Sequence, residues 1–332
     1  MSSSAASGVA DPSPAPTIPV ICGPTASGKS AVAMWLAQRR SITIIGADSR
    51  QVYRGFDIGT AKPSAADRAR APHRGIDVAE PTERFSAADF AALATDAIAE
   101  ARREGRQPVV VGGSGFYMAA LFKPLWEQPE LDAEARAAVQ RALDAMTTDE
   151  LRRWCAALDP VRAHLGRAQL LRCVEVALLT GERLSDMHLT RARPVAVRAS
   201  YLLVDPGTEL HARIAARASA MFAGGWTDEV RRLMDVVPQD APAWNATGYD
   251  AVRRLVAGEL DSSAALEHVV IETRQYAKRQ RTWFRHQLKD ERVQRLSLSE
   301  SGWQEKVDRW IGAIAREEES RMGSSAGGGL GA

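Results

Sequence analysis

Short apolar runs that stop at glycine or at a polar cluster punctuate the first third of the chain. Ile18 to Cys22 is one, closed by Gly23; Ile42 to Ile45 is a second, ending in Gly46-Ala-Asp48-Ser-Arg-Gln51; Pro108 to Val111 is a third, opening into Gly112-Gly-Ser-Gly115. Runs this short, bounded by turn residues, predict buried strands. Between them the apolar positions move to helical spacing. Ala31 to Leu36 follows the first run, and Phe90, Leu93, Ala97 and Ile98 recur along a helix that Ser86 and Asp89 begin, as an acidic form of the capping box, and Gly105 stops. Phe116 to Leu121 adds another helix. Strands alternating with helices predict a parallel, doubly wound α/β sheet.

From about Pro124 to Arg193 the texture changes to an Ala/Arg/Leu-rich helical pattern, with Leu131 to Leu143 and Gln169 to Leu179 its clearest helices. A strand-like run, Ser200 to Val204, returns the chain to the sheet, and helices are expected from there through Ala315. The predicted organisation is an α/β core of residues 17–123 and 197–318 interrupted by a helical insertion at 124–196. Residues 1–16, rich in Ser, Ala and Pro, and the Gly-rich end, 319–332, hold too little apolar surface to offset ordering entropy and are expected to be disordered tails.

A chain of 332 residues with 45% apolar and 25% charged residues can bury a full core unaided. Cys22, Cys155 and Cys173 are odd in number and far apart, with no C-x-x-C pair, which argues against a metal clamp and for a reducing cytoplasm. No apolar run approaches the roughly eighteen residues of a membrane span, and no Lys or Arg precedes Lys29, so neither a span nor a signal peptide is expected. No self-association stripe is evident, which predicts a monomer. The net charge of +2 hides a local excess: six basic and no acidic residues lie between Thr273 and Lys289.

Gly23-Pro-Thr-Ala-Ser-Gly-Lys-Ser30 is a complete G-x-x-x-x-G-K-[ST] match set between the first predicted strand and helix, the context the motif needs. Gly23 and Gly28 allow the tight turn, the N–H groups from Ala26 to Ser30 face phosphates, Lys29 supplies charge, and Ser30 can ligate magnesium. A polyphosphate is implied, but not which reaction uses it. A kinase of a small metabolite would use the loop on ATP, with Asp48 helping to hold magnesium and an arginine lid from the insertion. A nucleotide-dependent RNA-binding switch without chemistry is a third reading. Asp48 itself could act as a base, cap the next helix, or ligate magnesium through water. His211, Arg213 and Arg217 fall on one predicted helix, with the two arginines on one face, which by itself reads as a solvated basic face. Arg274, Lys278, Arg281 and Arg285 make one helical stripe interleaved with Tyr276, Trp283 and Phe284. Such a surface grips phosphates and stacks bases, or is a solvated face over a core.

Taken together, the loop, Ala47-Asp-Ser-Arg-Gln-Val-Tyr53, Asp57-Ile-Gly-Thr-Ala-Lys-Pro63, Pro72-His73, Phe85 to Phe90, Val111-Gly-Gly-Ser-Gly-Phe-Tyr117, Arg172-Cys-Val-Glu-Val176, Thr180-Gly-Glu, Gly248-Tyr249 and Thr273 to Gln280 resemble the tRNA dimethylallyltransferases in order and spacing, to about residue 286. The resemblance implies transfer of a dimethylallyl group from dimethylallyl diphosphate to the exocyclic amine of the adenosine 3′ to the anticodon, in tRNAs reading codons that begin with U. It also implies magnesium as cofactor and no obligate protein partner. By the same resemblance Gly23, Pro24, Thr25, Ala26, Ser27, Gly28, Lys29 and Ser30, with Arg217, bind the diphosphate, and Ser30 holds the metal. Asp48 is the catalytic carboxylate, aided by Thr25 and Arg217. Asp48, Ser49, Arg50, Gln51, Ser114, Arg136, Gly248, Tyr249, Arg274, Lys278 and Arg281 meet the tRNA anticodon stem-loop, whose target nucleotide must be extruded to react. The insertion resembles a domain that clamps that stem-loop. The chain departs from the family pattern at Gln169, where an arginine is usual, and at Asp250, where a basic or polar residue is frequent.

Overall fold

Among the residues described in the computed structural model, 15–123, 131–190, 197–289 and 292–326, six strands form one parallel sheet. In the amino-terminal part β1 (Thr17–Cys22), β2 (Ile42–Ala47), β3 (His73–Arg74) and β4 (Gln107–Gly112) alternate with α1 (Lys29–Ala37), α2 (Ala65–Arg70), α3 (Ala87–Arg103) and α4 (Gly115–Phe122). The helices α5 (Ala133–Asp144), α6 (Thr148–Leu158), α7 (Arg167–Thr180) and α8 (Leu184–Thr190) follow outside the sheet. β5 (Arg198–Val204) re-enters it before α9 (Leu210–Ala223), α10 (Trp226–Val236), α11 (Tyr249–Val256) and α12 (Ser262–Gln287). β6 (Val293–Leu296) and α13 (Trp303–Ala326) close the order.

The strand order is β3-β2-β4-β1-β5-β6, with every pairing parallel. β1 therefore lies inside the sheet, flanked by β4 and β5, and the crevice beyond its carboxyl end is where such sheets receive ligands. All six residues of β1 and all six of β2 are buried, the mark of strands covered by helices on both faces. Alternation divides the two cores. Ile18, Val20 and Cys22 join one with Phe56, Phe90, Trp226 and Tyr249, while Ile21 joins the other with Val32, Leu36 and Ile311. The capping box expected at α3 is formed: Ser86 Oγ accepts from Asp89 N at 3.2 Å, and Asp89 Oδ2 accepts from Ser86 N at 2.8 Å.

Two edge strands were not expected from the sequence. β3 has only two residues, and β6 falls in a stretch expected to be helical, pairing with β5 from Tyr201↔Val293 to Val204↔Leu296. Neither carries an apolar run of its own, so each is a strand only because a neighbour offers hydrogen bonds. The disordered end expected from residue 319 is also corrected, since α13 continues to Ala326. Arg321 donates to Ala15 O and Thr17 Oγ1, both at 3.2 Å, and Glu318 Oε1 accepts from Thr17 N at 2.7 Å, so the last helix ties down the first strand. Pro16, expected in the other tail, accepts from Arg198 N. Residues 1–14 and 327–332 lie outside the described part.

The chain divides into two compact units, Met1–Phe122 with Ala196–Ala332, and Lys123–Val195. The boundaries expected at 124 and 196 lie outside the described residues. The second unit packs Leu143, Leu151, Leu170, Val174 and Met187 around Cys155 and Cys173. Far apart in sequence, these two thiols are 3.2 Å apart, free and buried. Gln169 accepts from Gly166 N at 3.2 Å and so caps α7. No helix among the described residues is long and apolar enough to cross a membrane.

Candidate active site

The loop 23–30 leaves β1 and wraps into the start of α1. Gly28 has φ 100°, in the left-handed region, and a Cβ there would lie 2.4 Å from Leu298 Cδ1. Only glycine avoids both the backbone strain and the clash. α1 has no side-chain cap and no acidic residue in its first turn, so its unpaired N–H groups and positive dipole end face an open concavity of about 460 Å³. Such a helix start favours a phosphate. Lys29 Nζ donates to Pro24 O at 2.7 Å. Burial chiefly, and then the nearby Arg217, hold its ammonium down at about 8.

Arg217 reaches the loop from α9, its guanidinium 3.4 Å from Thr25 Oγ1. Burial lowers its pKa while the charge of Asp48 raises it, so the two side chains feel each other across the site. Asp48 directly follows β2, where its Oδ1 accepts from Arg50 N at 2.9 Å and closes a local turn. No helix begins there, which removes the helix-capping reading. Thr25, Asp48, Arg217 and Tyr276 line two adjoining cavities. One, about 330 Å³, also holds Lys29, Ser30 and apolar Met34 and Ile76; the other, about 70 Å³, is walled by Ile214, Met221, Trp226 and Val269. A charged end for a diphosphate thus meets an apolar interior beside a carboxylate.

The remaining expected residues are distributed unevenly. Ser114 Oγ accepts from Ser49 N at 3.0 Å, which ties the turn after β4 to the turn after β2. Gln51 Nε2 donates to Thr60 O and Ala61 O, so its amide braces the 57–62 loop, whereas Arg50 lines the smaller cavity. Tyr249 is a correction. It is 0% exposed, its hydroxyl donates to Glu229 Oε1 at 2.7 Å, and burial together with that carboxylate raises its pKa. The other Glu229 oxygen accepts from Asp57 N and Ile58 N. Tyr249 is therefore core rather than RNA surface. Gly248 serves the same core: it has φ 88°, and a Cβ would lie 2.7 Å from Trp226 Cη2. Gly248→Ala is expected to lower the unfolding free energy by at least about 1–3 kcal/mol, seen as a lower midpoint in thermal melts.

On α12 the expected basic stripe is broken. Arg274, Lys278 and Arg285 are exposed, but Arg281 is ion-paired to Asp205 and donates to Gly207 O at 2.6 Å, so its guanidinium serves the turn after β5. Arg136, in the second unit, pairs with buried Glu175 at 2.8 Å and remains partly exposed. Two residues of α12 take roles that the sequence does not predict, Gln280 and Tyr276, the second expected only as a stacking aromatic among the basic positions. Gln280, 6% exposed, accepts from Thr25 N at 2.8 Å and donates to Gly113 O at 2.9 Å, joining the phosphate loop to the second glycine turn. Tyr276 lines both cavities, and its phenol is pushed up to about 12 by burial first and by the Asp48 charge second. The available signal was their spacing of four on the face shared with buried Ala277 and Phe284, where a polar side chain needs a partner.

Comparison with known proteins gives a consistent set of relatives. The family model described as IPP transferase matches residues 51–287, and one described as isopentenyl transferase matches residues 16–77. The chain is 43% identical to a tRNA dimethylallyltransferase of Anaeromyxobacter sp. (strain K), over 80% of this chain and 89% of that one. It is similar to the crystal structure of a tRNA isopentenylpyrophosphate transferase from Bacillus halodurans, with TM-score 0.66 and 30% identity, covering 93% of this chain and 99% of that one. A eukaryotic dimethylallyltransferase acting on tRNA shares the fold, with TM-score 0.77 at 24% identity, covering 92% of this chain and 80% of that one.

Proposed function

This chain belongs to the IPP transferase family, and we propose that it transfers a dimethylallyl group from dimethylallyl diphosphate to the exocyclic amine of the adenosine 3′ to the anticodon in tRNA. The observation that carries the reading in this chain is the convergence of Asp48, Thr25 and Arg217 on cavities that join a phosphate loop to an apolar interior. The amine nitrogen forms a bond to the allylic carbon, the carbon–oxygen bond breaks, and its electron pair leaves with diphosphate. The amine proton passes to Asp48, whose Oδ2 has no hydrogen-bond partner among the described residues. The loop N–H groups, Lys29 and Arg217 stabilise the charge that grows on the leaving group, an effect larger in the transition state than in the ground state. Gln280 and Ser114 keep the loops that carry Thr25 and Asp48 in register.

Magnesium fits the same edge, because the Ser30 hydroxyl and the Asp48 carboxylate, both hard oxygen donors, line the larger cavity with the loop. Ser30 would hold the ion, which would neutralise charge on the diphosphate. The exposed Arg274, Lys278 and Arg285 suit the phosphates of the RNA.

The test is incubation with magnesium, radiolabelled dimethylallyl diphosphate and an anticodon stem-loop with adenosine at that position. Label in the RNA supports the reading; ATP turnover on a small acceptor with no labelled RNA would sink it in favour of a kinase. A pH dependence follows from Lys29. A bound diphosphate puts negative charge beside the ammonium and lifts its pKa above 8. Below pH 8 binding uses a proton already present; above it, binding must take one up. Affinity for an unreactive thiolo analogue of dimethylallyl diphosphate is therefore level below pH 8 and falls up to about tenfold per pH unit above it, measured by calorimetry.

A further inference from the structure

Arg213 precedes Arg217 by one turn of α9 and shares its face. Its Nε donates to Ala26 O at 3.1 Å, which holds the guanidinium plane against the phosphate loop. Its Nη2 stands 3.2 Å from where a Cβ on Gly28 would be, so the fork reaches over the start of α1. Arg213 lines the 460 Å³ concavity with Lys29, Ser30 and Arg217. Its nearby carboxylate, Glu209, is 3.9 Å away and 52% exposed, a separation at which water competes for both charges.

We propose that Arg213 is a second guanidinium of the diphosphate site, acting with Lys29 and Arg217. The inference rests on the diphosphate reading of the loop and extends it to a residue turned to that loop by tertiary contact. With Nε committed to a carbonyl, the terminal nitrogens are oriented and can take two phosphate oxygens, the paired geometry that makes arginine–phosphate contacts strong and directional. The loop carbonyl also removes much of the freedom the side chain would otherwise lose on binding, so the fork is preorganised.

The experiment is calorimetric titration of the full-length protein with inorganic pyrophosphate at pH 7, with Arg213→Ala and Arg213→Lys beside the wild type. Arg213→Ala is expected to weaken binding about ten- to a hundredfold, the range for removal of hydrogen bonds to a charged group. Arg213→Lys should recover part of the loss, since it keeps the charge without the fork. In turnover, KM for dimethylallyl diphosphate rises while KM for the stem-loop and the ligand-free melting midpoint stay near wild type, a split that a purely bracing role would not produce. Pyrophosphate affinity of Arg213→Ala within twofold of wild type overturns the proposal. Absence of pyrophosphate binding by the wild type sinks the loop reading beneath it.

Discussion

Asp48→Asn lowers kcat for dimethylallyl transfer by about 10²–10⁴-fold, the range that a positioned general base supplies. The substitution is chosen because asparagine keeps the shape of the site. Its side-chain oxygen can still accept from Arg50 N and preserve the turn after β2, so what is lost is the negative charge and the proton acceptor. Binding of the stem-loop and, in the absence of magnesium, of the diphosphate stays within a few-fold of wild type, because the loop, Lys29 and the α12 cations are untouched. Single-turnover kinetics with saturating substrates separates chemistry from product release. A fall smaller than tenfold would reduce Asp48 to a turn residue and leave the reaction to the leaving-group donors alone.

Lys62→Met is expected to cost about 3 kcal/mol of stability, the lower end for breaking a buried ion pair. The Lys62 side chain is only 2% exposed, with Nζ 2.7 Å from Asp57 Oδ1, 2.5 Å from Asp77 Oδ1 and donating to Tyr53 O. Methionine fills the space but leaves two carboxylates and a carbonyl without their shared cation. The lower end applies because Asp57 is more than half exposed and Arg68 still pairs with Asp77. Burial would raise the Asp77 carboxyl, yet hydrogen bonds from Lys62 and Arg68 hold it below the usual range. A depressed carboxyl stabilises the fold above its unfolded pKa and loses that contribution as pH falls through its folded pKa. The variant therefore shows less of this acid-dependent loss. Urea unfolding at pH 7 and at acid pH measures both effects, and equal stability of the two proteins at pH 7 would refute the account.

The loop 53–62 connects these predictions. Gln51 and Glu229 hold it by its backbone, Lys62 by charge, and it carries Gly59 and Thr60 into the wall of the smaller cavity. Damage to Lys62 is thus expected to reach activity as well as stability, whereas damage to Asp48 reaches activity alone.

The parts legible in the sequence are those governed by neighbours in the chain. The phosphate loop, β1, β2, β4 and β5, and the capped start of α3 each follow from local spacing of apolar, glycine and polar residues, because strand alternation, helix capping and tight turns are short-range effects. So did the placing of Asp48 at a strand end and of Arg213 and Arg217 on one helix face.

What only the tertiary structure decided are the pairings across distance. β6 is a strand because β5 offers it hydrogen bonds, and Arg321 is ordered because Thr17 lies beside it. Gln280 finds Thr25 and Gly113, Arg281 finds Asp205, and Tyr249 finds Glu229 rather than RNA. A polar side chain in a sequence carries no record of which partner will satisfy it. Burial decides that, because each donor or acceptor removed from water must be paired within the folded chain.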